Sequence, residues 1–225
     1  MALGLAGIAS AGIIQEGFEG SSYNLAGQDA GSASLSTATV HSGSQSVLLS
    51  LTSASDYGRV KLDVSSYGLT LGQITSADYW VNRQSTNEQS PYILFSITTP
   101  GHGPDDVLAI LYNNPSLLNG KWTNIQIGAS SMFHVEGDGT GLTNPGGITF
   151  GDLQSSVYSP GVTWGSLPVN FVRIGMGLGS NDGVAATAFV DDLTINTAAV
   201  PEPGTSALVL AALGALGVML RRRKS

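Results

Sequence analysis

Between Gly12 and Asn196 no stretch of the chain sustains a helical period, and short segments of alternating polarity recur between clusters of turn residues. Arg59-Val60-Lys61-Leu62-Asp63-Val64 places every second side chain on an apolar face, as a strand with one wet side does. Gln45 to Leu51 alternates in the same way through Val47, Leu49 and Leu51; it follows a weaker β-compatible stretch, Ser34 to Val40, and a turn at Gly43. Further strands are predicted over Ile74 to Val81, Tyr92 to Thr98, Val107 to Tyr112, Trp122 to Ile127, Val172 to Gly177 and Thr187 to Ile195. Turn chemistry separates them at Pro100-Gly101, Asn113-Asn114-Pro115, Asn144-Pro145-Gly146-Gly147 and Ser180-Asn181-Asp182-Gly183. Many short strands at this spacing predict an all-β fold, a two-sheet antiparallel β-sandwich of the jelly-roll type spanning residues 12–197. Gly128 to Gly165 is glycine-rich and reads as a long loop region with short strands around Ile148 to Phe150, the sort of excursion that binds ligands on a sandwich.

Charge narrows the function classes. Only 11% of the residues are charged, against about 25% in typical soluble proteins, so polarity is carried by serine, threonine, asparagine and the 30 glycines. The net charge of -7 and the scarcity of basic residues outside the last few positions argue against nucleic acid as a partner. Cysteine is absent, so there is neither a disulfide framework nor a thiolate metal site, and the fold rests on packing or on an oxygen-ligated ion.

The C-terminal tract departs from this pattern. Residues 198–204 hold Pro201-Glu202-Pro203, which cannot continue a strand or a helix; residues 205–220 are uncharged and apolar; residues 221–225 begin Arg221-Arg222-Arg223. As a transmembrane helix the apolar run would cover roughly 24 Å, slightly short of a hydrocarbon core of about 30 Å, a mismatch that snorkelling arginines absorb. The basic end stays cytoplasmic and places the body across the membrane. Pro-Glu-Pro, a short apolar helix and an arginine-rich end at the extreme C-terminus resemble the PEP-CTERM sorting signal of bacteria that make exopolysaccharide. That resemblance implies recognition and cleavage by exosortase, a membrane enzyme. The protein would sit in the inner membrane during sorting, then on the cell surface or in the extracellular matrix. At the other end, residues 1–11 are apolar and finish in the small residues Ala9-Ser10-Ala11, so they read either as the remnant of a signal peptide without its basic start or as a first strand. Export favours the former.

A second resemblance rests on Gly17-Phe18-Glu19-Gly20, His41-Ser42-Gly43-Ser44-Gln45-Ser46-Val47 and Phe189-Val190-Asp191-Asp192-Leu193. These segments look like those of carbohydrate-binding-module and concanavalin-like jelly rolls, in which an N-terminal Phe-Glu and a C-terminal Asp-Asp meet and hold structural calcium. Simple alternation places Phe189, Asp191, Leu193 and Ile195 on one face, where a carboxylate needs a partner and no lysine or arginine is near in sequence. By the resemblance, Glu19, Gln45 and Asp191 would ligate calcium, with carbonyls of the turn near Ser42 and Gln45 completing the shell. The alternative is an Asp191 at the sheet edge that is hydrated or bonded to backbone amides and holds no ion. The asparagine-rich lead-in common before Phe-Glu in those relatives is absent, which leaves sugar binding less supported than the architecture.

The acids give no catalytic pattern. Glu136 and Asp138 lie in a glycine-rich stretch without a third partner, while Asp105-Asp106 and Asp191-Asp192 are adjacent and in strands would face opposite ways. His41, His102 and His134 lack metal-ligand spacing, and Ser130 or Ser131 beside His134 lacks a glycine-flanked elbow. The expectation is therefore a protein that is not an enzyme. Among the aromatics, Trp80 and Trp122 lie in strands and are expected in the core; Trp164, in loop-like surroundings, and Tyr23, nearest to Phe18-Glu19, are the candidate sugar platforms. Two functions fit: an exported surface or matrix protein associated with exopolysaccharide, or a carbohydrate-binding module or lectin that recognises a specific glycan.

Overall fold

The computed structural model describes residues 12–52, 56–84, 90–100, 107–111, 118–137, 147–177 and 185–198. The expected signal-peptide remnant at 1–11, residues 199–204 of the Pro-Glu-Pro linker, the expected transmembrane helix at 205–220 and the basic end lie outside the described residues, as do His102, Asp105, Asp106 and Asp138.

Two antiparallel sheets make the body. The six-stranded sheet contains β1 (Ile13–Glu16), β3 (Ser32–Ser36), β4 (Ser46–Leu51), β6 (Ile74–Arg83), β9 (Trp122–Ile127) and β15 (Ala186–Thr197), in the order β3-β4-β15-β6-β9, with β1 also on β15. The seven-stranded sheet contains β2 (Tyr23–Gln28), β5 (Tyr57–Asp63), β7 (Tyr92–Ile97), β8 (Val107–Leu111), β10 (Met132–Gly137), β11 (Ile148–Thr149) and β14 (Val169–Met176), ordered β11-β10-β8-β7-β14-β5-β2. Two further short strands, β12 (Val157–Ser159) and β13 (Val162–Thr163), pair with each other. The alternation read from the sequence decides which side chains meet. Val60 and Leu62, Ile93, Phe95 and Ile97, and Val172, Ile174 and Met176 turn inward from one sheet onto Val47, Leu49, Tyr79, Val81, Ala188 and Val190 of the other. Each large side chain removed completely from water there contributes about 2–3 kcal/mol.

The segment expected to be a long loop is, over its described residues, part of the packed body. β10 adds to the seven-stranded sheet through His134 opposite Ile110, and a single-turn helix α1 (Phe150–Ser155) follows β11. Thr149 caps that helix, its Oγ1 accepting the Asp152 amide at 3.1 Å. Phe150 stacks on Phe133 at 4.9 Å between ring centroids and on Phe95 at 5.8 Å, so this insertion closes one end of the core. Gln154 ties it down by donating Nε2 to the carbonyls of Leu71, at 2.7 Å, and Ile74, at 2.8 Å. Trp164 belongs to the same plug. Its ring is 0% exposed and meets Tyr158 edge-on at 5.1 Å, so the expectation that Trp164 is a sugar platform is corrected. The loop-like residues before it form the β12–β13 hairpin, which turns the indole inward.

A second correction concerns β15. Asp191 pairs with Trp80 and Thr194 with Asp78, so three steps on β15 answer two on β6, and Asp192 is left-handed at φ 47°. This bulge reverses the parity of the strand. Ala186, Ala188 and Val190 face the core before it, Leu193 and Ile195 after it, and Phe189 therefore does not share a face with Leu193.

Candidate functional site

The bulge sits where one edge of β15 changes partner. β4 pairs with Ala186 to Val190, whereas β1 pairs with Leu193 to Asn196, and neither reaches the stretch between. The gap is filled by the chain leaving β1 at Glu16 and by the turn approaching β4 from His41 to Gln45. Asp191 Oδ2 accepts the amides of His41 at 3.0 Å and Ser42 at 3.3 Å, and its Oδ1 accepts the Asp192 amide at 2.9 Å. Left-handed Asp192 reaches the same turn instead of the opposite face: its Oδ1 accepts Ser42 Oγ and its Oδ2 contacts His41 Nδ1, both at 2.6 Å. Glu19 Oε1 accepts the amides of Ser44 at 2.6 Å and Gln45 at 3.1 Å, while Gln45 Nε2 donates to the Phe18 carbonyl at 2.7 Å. Gly43, at φ 66°, lies so close to the Glu19 carboxylate that a Cβ there would collide with it. Glu16, buried, accepts the Phe18 amide at 2.8 Å and the Ser22 hydroxyl.

Glu19, Gln45 and Asp191 thus come onto one turn. The turn offers them N–H hydrogens, however, where carbonyl oxygens near Ser42 and Gln45 were expected. Asp191 is 0% exposed because the turn covers it, and not because it lies on the core face or at the sheet edge. Burial raises the Asp191 carboxyl above its ordinary range, against the pull of the His41 and Ser42 amides. The Ser44 hydroxyl and the Ser44 and Gln45 amides hold exposed Glu19 below its ordinary 4.5. As a cation site the corner has oxygen donors of the hard type, and among the described residues no lysine or arginine forms an ion pair with its four carboxylates, Glu16, Glu19, Asp191 and Asp192. Among the described residues no three histidines or acids come together closely enough to hold a metal by themselves.

Tyr23 does not present a platform. It lies opposite Leu62 on the inner side of β2, meets Phe18 edge-on at 5.4 Å and donates its hydroxyl to the Phe18 carbonyl at 2.8 Å. The tryptophans expected in the core are the ones left partly exposed. Trp80 and Trp122 lie on the outer face of the six-stranded sheet, where His41 stacks on Trp80 at 3.8 Å and meets Trp122 edge-on at 5.4 Å. His41, held also by Asp192, already covers the Trp80 face.

The outer face of the seven-stranded sheet carries aromatics that no loop motif announced. Tyr57, Arg59 and Lys61 point outward from β5 while Gly58, Val60 and Leu62 are buried; Phe171 and Arg173 point outward from the adjacent β14. Lys61 lies directly opposite Arg173, and Lys61 Nζ sits 3.4 Å from the Phe171 ring centroid. The Arg59 guanidinium lies 4.8 Å over Tyr57, and that of Arg173 5.9 Å from Phe171. Gly175, between Arg59 and Tyr92 in register, makes room for the Tyr92 ring: a Cβ there would come within 2.8 Å of the Tyr92 hydroxyl. The clean alternation of Arg59 to Asp63 marked a wet strand face in the sequence. Only the pairing with β14 shows that aromatic rings and cations share it.

The corner has a definite pH signature. Because the folded state lowers the Glu19 pKa, its stabilisation is complete above the unfolded value and is lost as pH falls through the folded one; raised Asp191 contributes with the opposite sign. Glu19→Gln should therefore be less stable than the wild type at pH 7, with the difference shrinking as pH drops below about 4. Denaturant melts across this range check it, and a pH-independent difference would remove the carboxylate's charge from the account.

Residues 199–224 match the PEP-CTERM protein-sorting motif. No curated protein matches the chain. Among solved structures it is similar to the family 11 carbohydrate-binding module from Clostridium thermocellum in complex with a beta-1,3-1,4-mixed-linked tetrasaccharide, at 15% identity and a TM-score of 0.53, over 82% of this chain and 94% of that one. It is likewise similar to the family 11 carbohydrate-binding module of a cellulosomal cellulase of Clostridium thermocellum, at 14% identity and a TM-score of 0.53, over 84% and 96%. At such identities the likeness establishes the fold and leaves the ligand open. The chain carries a PEP-CTERM sorting motif, which indicates an exported protein sorted via the membrane, and its body is an antiparallel β-sandwich whose structural neighbours are carbohydrate-binding modules.

Proposed function

We propose that this chain is an exported, non-catalytic glycan-binding protein of the cell surface or extracellular matrix, which holds polysaccharide on the outer face of its seven-stranded sheet. The observation that carries the reading is the pair of partly exposed rings, Tyr57 and Phe171, on adjacent strands of one sheet face. An aromatic ring matches the C–H face of a pyranose; Phe171 is in register with Asp63, six residues along β5 from Tyr57, so the two rings, roughly 20 Å apart on a rigid sheet, contact separate sugars of one polymer with little entropy lost on binding. The likeness to carbohydrate-binding modules supports the class of ligand. Phe171→Ala and Tyr57→Ala, each still folded by circular dichroism, should weaken glycan binding about tenfold or more on an array, whereas Trp80→Ala should leave it unchanged. Equal binding by all three variants would move the site elsewhere.

Export and processing belong to the same proposal. An exosortase-type enzyme in the inner membrane cuts near Pro201-Glu202-Pro203 and releases the body from an apolar run that is short for a permanent anchor. Intact mass of the protein from its native cells should show a species ending near Pro203; a protein still ending at Ser225 would leave the tail as an anchor.

Calcium at the Glu19–Asp191 corner is proposed as a supplementary tie. Each carboxylate accepts two amides on one oxygen and a single donor on the other, which leaves lone pairs for a hard cation in a group of four acids. At a hundred times the dissociation constant calcium would add about 2.7 kcal/mol of stability. Thermal melts with calcium and with chelator should then differ for the wild type and coincide for Asp191→Asn; identical wild-type melts would leave the amides as the whole of the tie.

A further inference from the structure

Basic residues are scarce in this body, and most of them are in one place. Four of the chain's nine lysines and arginines stand at positions 221–224, and residues 1–198 hold five: Arg59, Lys61, Arg83, Lys121 and Arg173. Three of those five lie on the outer face of two neighbouring strands, with Lys61 directly opposite Arg173. Like charges placed opposite each other across a ladder are destabilising, so the arrangement has a cost that packing alone does not explain. The π faces of Tyr57 and Phe171 offset part of it.

Arg59 and Lys61 are partly exposed, and among the described residues neither has a carboxylate in ion-pair contact. The nearest acid on their own strand face is Asp63, whose oxygen Oδ1 is already occupied by the amide of Ser65 at 2.9 Å and its hydroxyl at 2.6 Å. Arg59 Nε is buried and makes no hydrogen bond. Arg59 and Lys61 are thus held in place by rings; Lys61 feels the Asp63 carboxylate only through space, without a direct ion pair.

We infer that the polysaccharide bound on this face is anionic and that Arg59 and Lys61 recognise carboxylates of uronic acid residues, with Tyr57 and Phe171 as the stacking floor. This rests on the reading that the face binds glycan, and it adds the ligand's charge. A guanidinium fork matches a carboxylate in two parallel hydrogen bonds, and an ammonium adds a point charge one strand position away. The body as a whole carries fifteen acidic residues against five basic ones, which would repel a polyanion at long range. At physiological ionic strength that field is screened beyond about 8 Å, so the local cations decide the contact.

The test uses the full chain, with chelator present to remove calcium bridging, and measures affinity electrophoresis and calorimetry against four polymers. These are polygalacturonate, its fully methyl-esterified form, dextran sulfate and a neutral mixed-linked β-glucan. Polygalacturonate should bind at least tenfold more tightly than the esterified polymer, and its binding should weaken as salt rises. Arg59→Gln combined with Lys61→Gln should lose about tenfold to a hundredfold on polygalacturonate, with Arg59→Lys intermediate. Equal binding of the free and esterified polymers, or an unchanged double variant, would overturn the charge assignment; so would a preference for dextran sulfate, which would replace carboxylate by sulfate. Tight binding of the neutral glucan that Phe171→Ala abolishes would leave the glycan reading standing and sink only this inference. Binding of none of the four would sink both.

Discussion

The closure of β15 depends on backbone amides aimed at two carboxylates. Along one edge of this central strand β4 stops at Val190 and β1 begins at Leu193. Between them the edge would be open, and its polar groups would need partners. The His41–Gln45 turn closes it by giving two amides to Asp191 and two to Glu19, a charge-assisted set stronger than neutral bonds of the same number. Burial opposes the charge on Asp191, and so does the neighbouring Asp192 carboxylate. Without the amides of the turn, the buried Asp191 carboxylate would keep only the Asp192 amide as a donor. They also explain why two adjacent aspartates serve one turn, since the left-handed residue between the two halves of the strand swings Asp192 onto the side that Asp191 already occupies.

The two outer faces of the sandwich have different fates. On the six-stranded sheet His41 lies flat on Trp80 and reaches Trp122, so the rings are engaged by the same turn that closes the corner. On the seven-stranded sheet the rings of Tyr57 and Phe171 are engaged by cations whose charge points outward. The Trp80 ring, covered by the stacked His41 side chain, is part of the packing. A ring with a lysine or arginine over one face keeps a mixed polar and aromatic surface, the composition that the proposed glycan binding calls for.

Period-two alternation is a local property, and the elements it governs were legible. β4, β5, β6, β7, β8, β9, β14 and β15 all fall where the sequence places strands, within a few residues at their ends. What could not be read depends on non-local contacts. β10 and α1 are glycine-flanked and weakly patterned, and their burial comes from Phe133 and Phe150 meeting Phe95, 38 and 55 positions away. The parity change in β15 needs a left-handed aspartate that no propensity distinguishes from an ordinary one. Trp164 looked exposed because its neighbours are turn formers, yet those turns are what drive the indole inward. At the candidate site, the meeting of Glu19, Gln45 and Asp191 was implied by the resemblance to carbohydrate-binding-module jelly rolls, while the direction of the turn's amides was not. The cation-bearing face was half visible as a wet strand, and its combination of rings and cations emerges only through its register with β14.

The position of the chain ends relative to that face completes the argument. Thr197 donates its amide to the Gly12 carbonyl at 2.9 Å, and Ala198 donates to the Gln73 carbonyl at 2.6 Å, so the last described residues are fastened at the end of the six-stranded sheet. The sorting motif begins at residue 199, directly after this anchor. A body drawn toward a membrane by that motif is held through the six-stranded sheet, whereas Tyr57, Arg59, Lys61 and Phe171 stand on the other one. Capture of the tail and the proposed capture of a polymer would therefore use different layers of the sandwich. With the core of interdigitated side chains rigid between them, neither event needs the other to rearrange the fold.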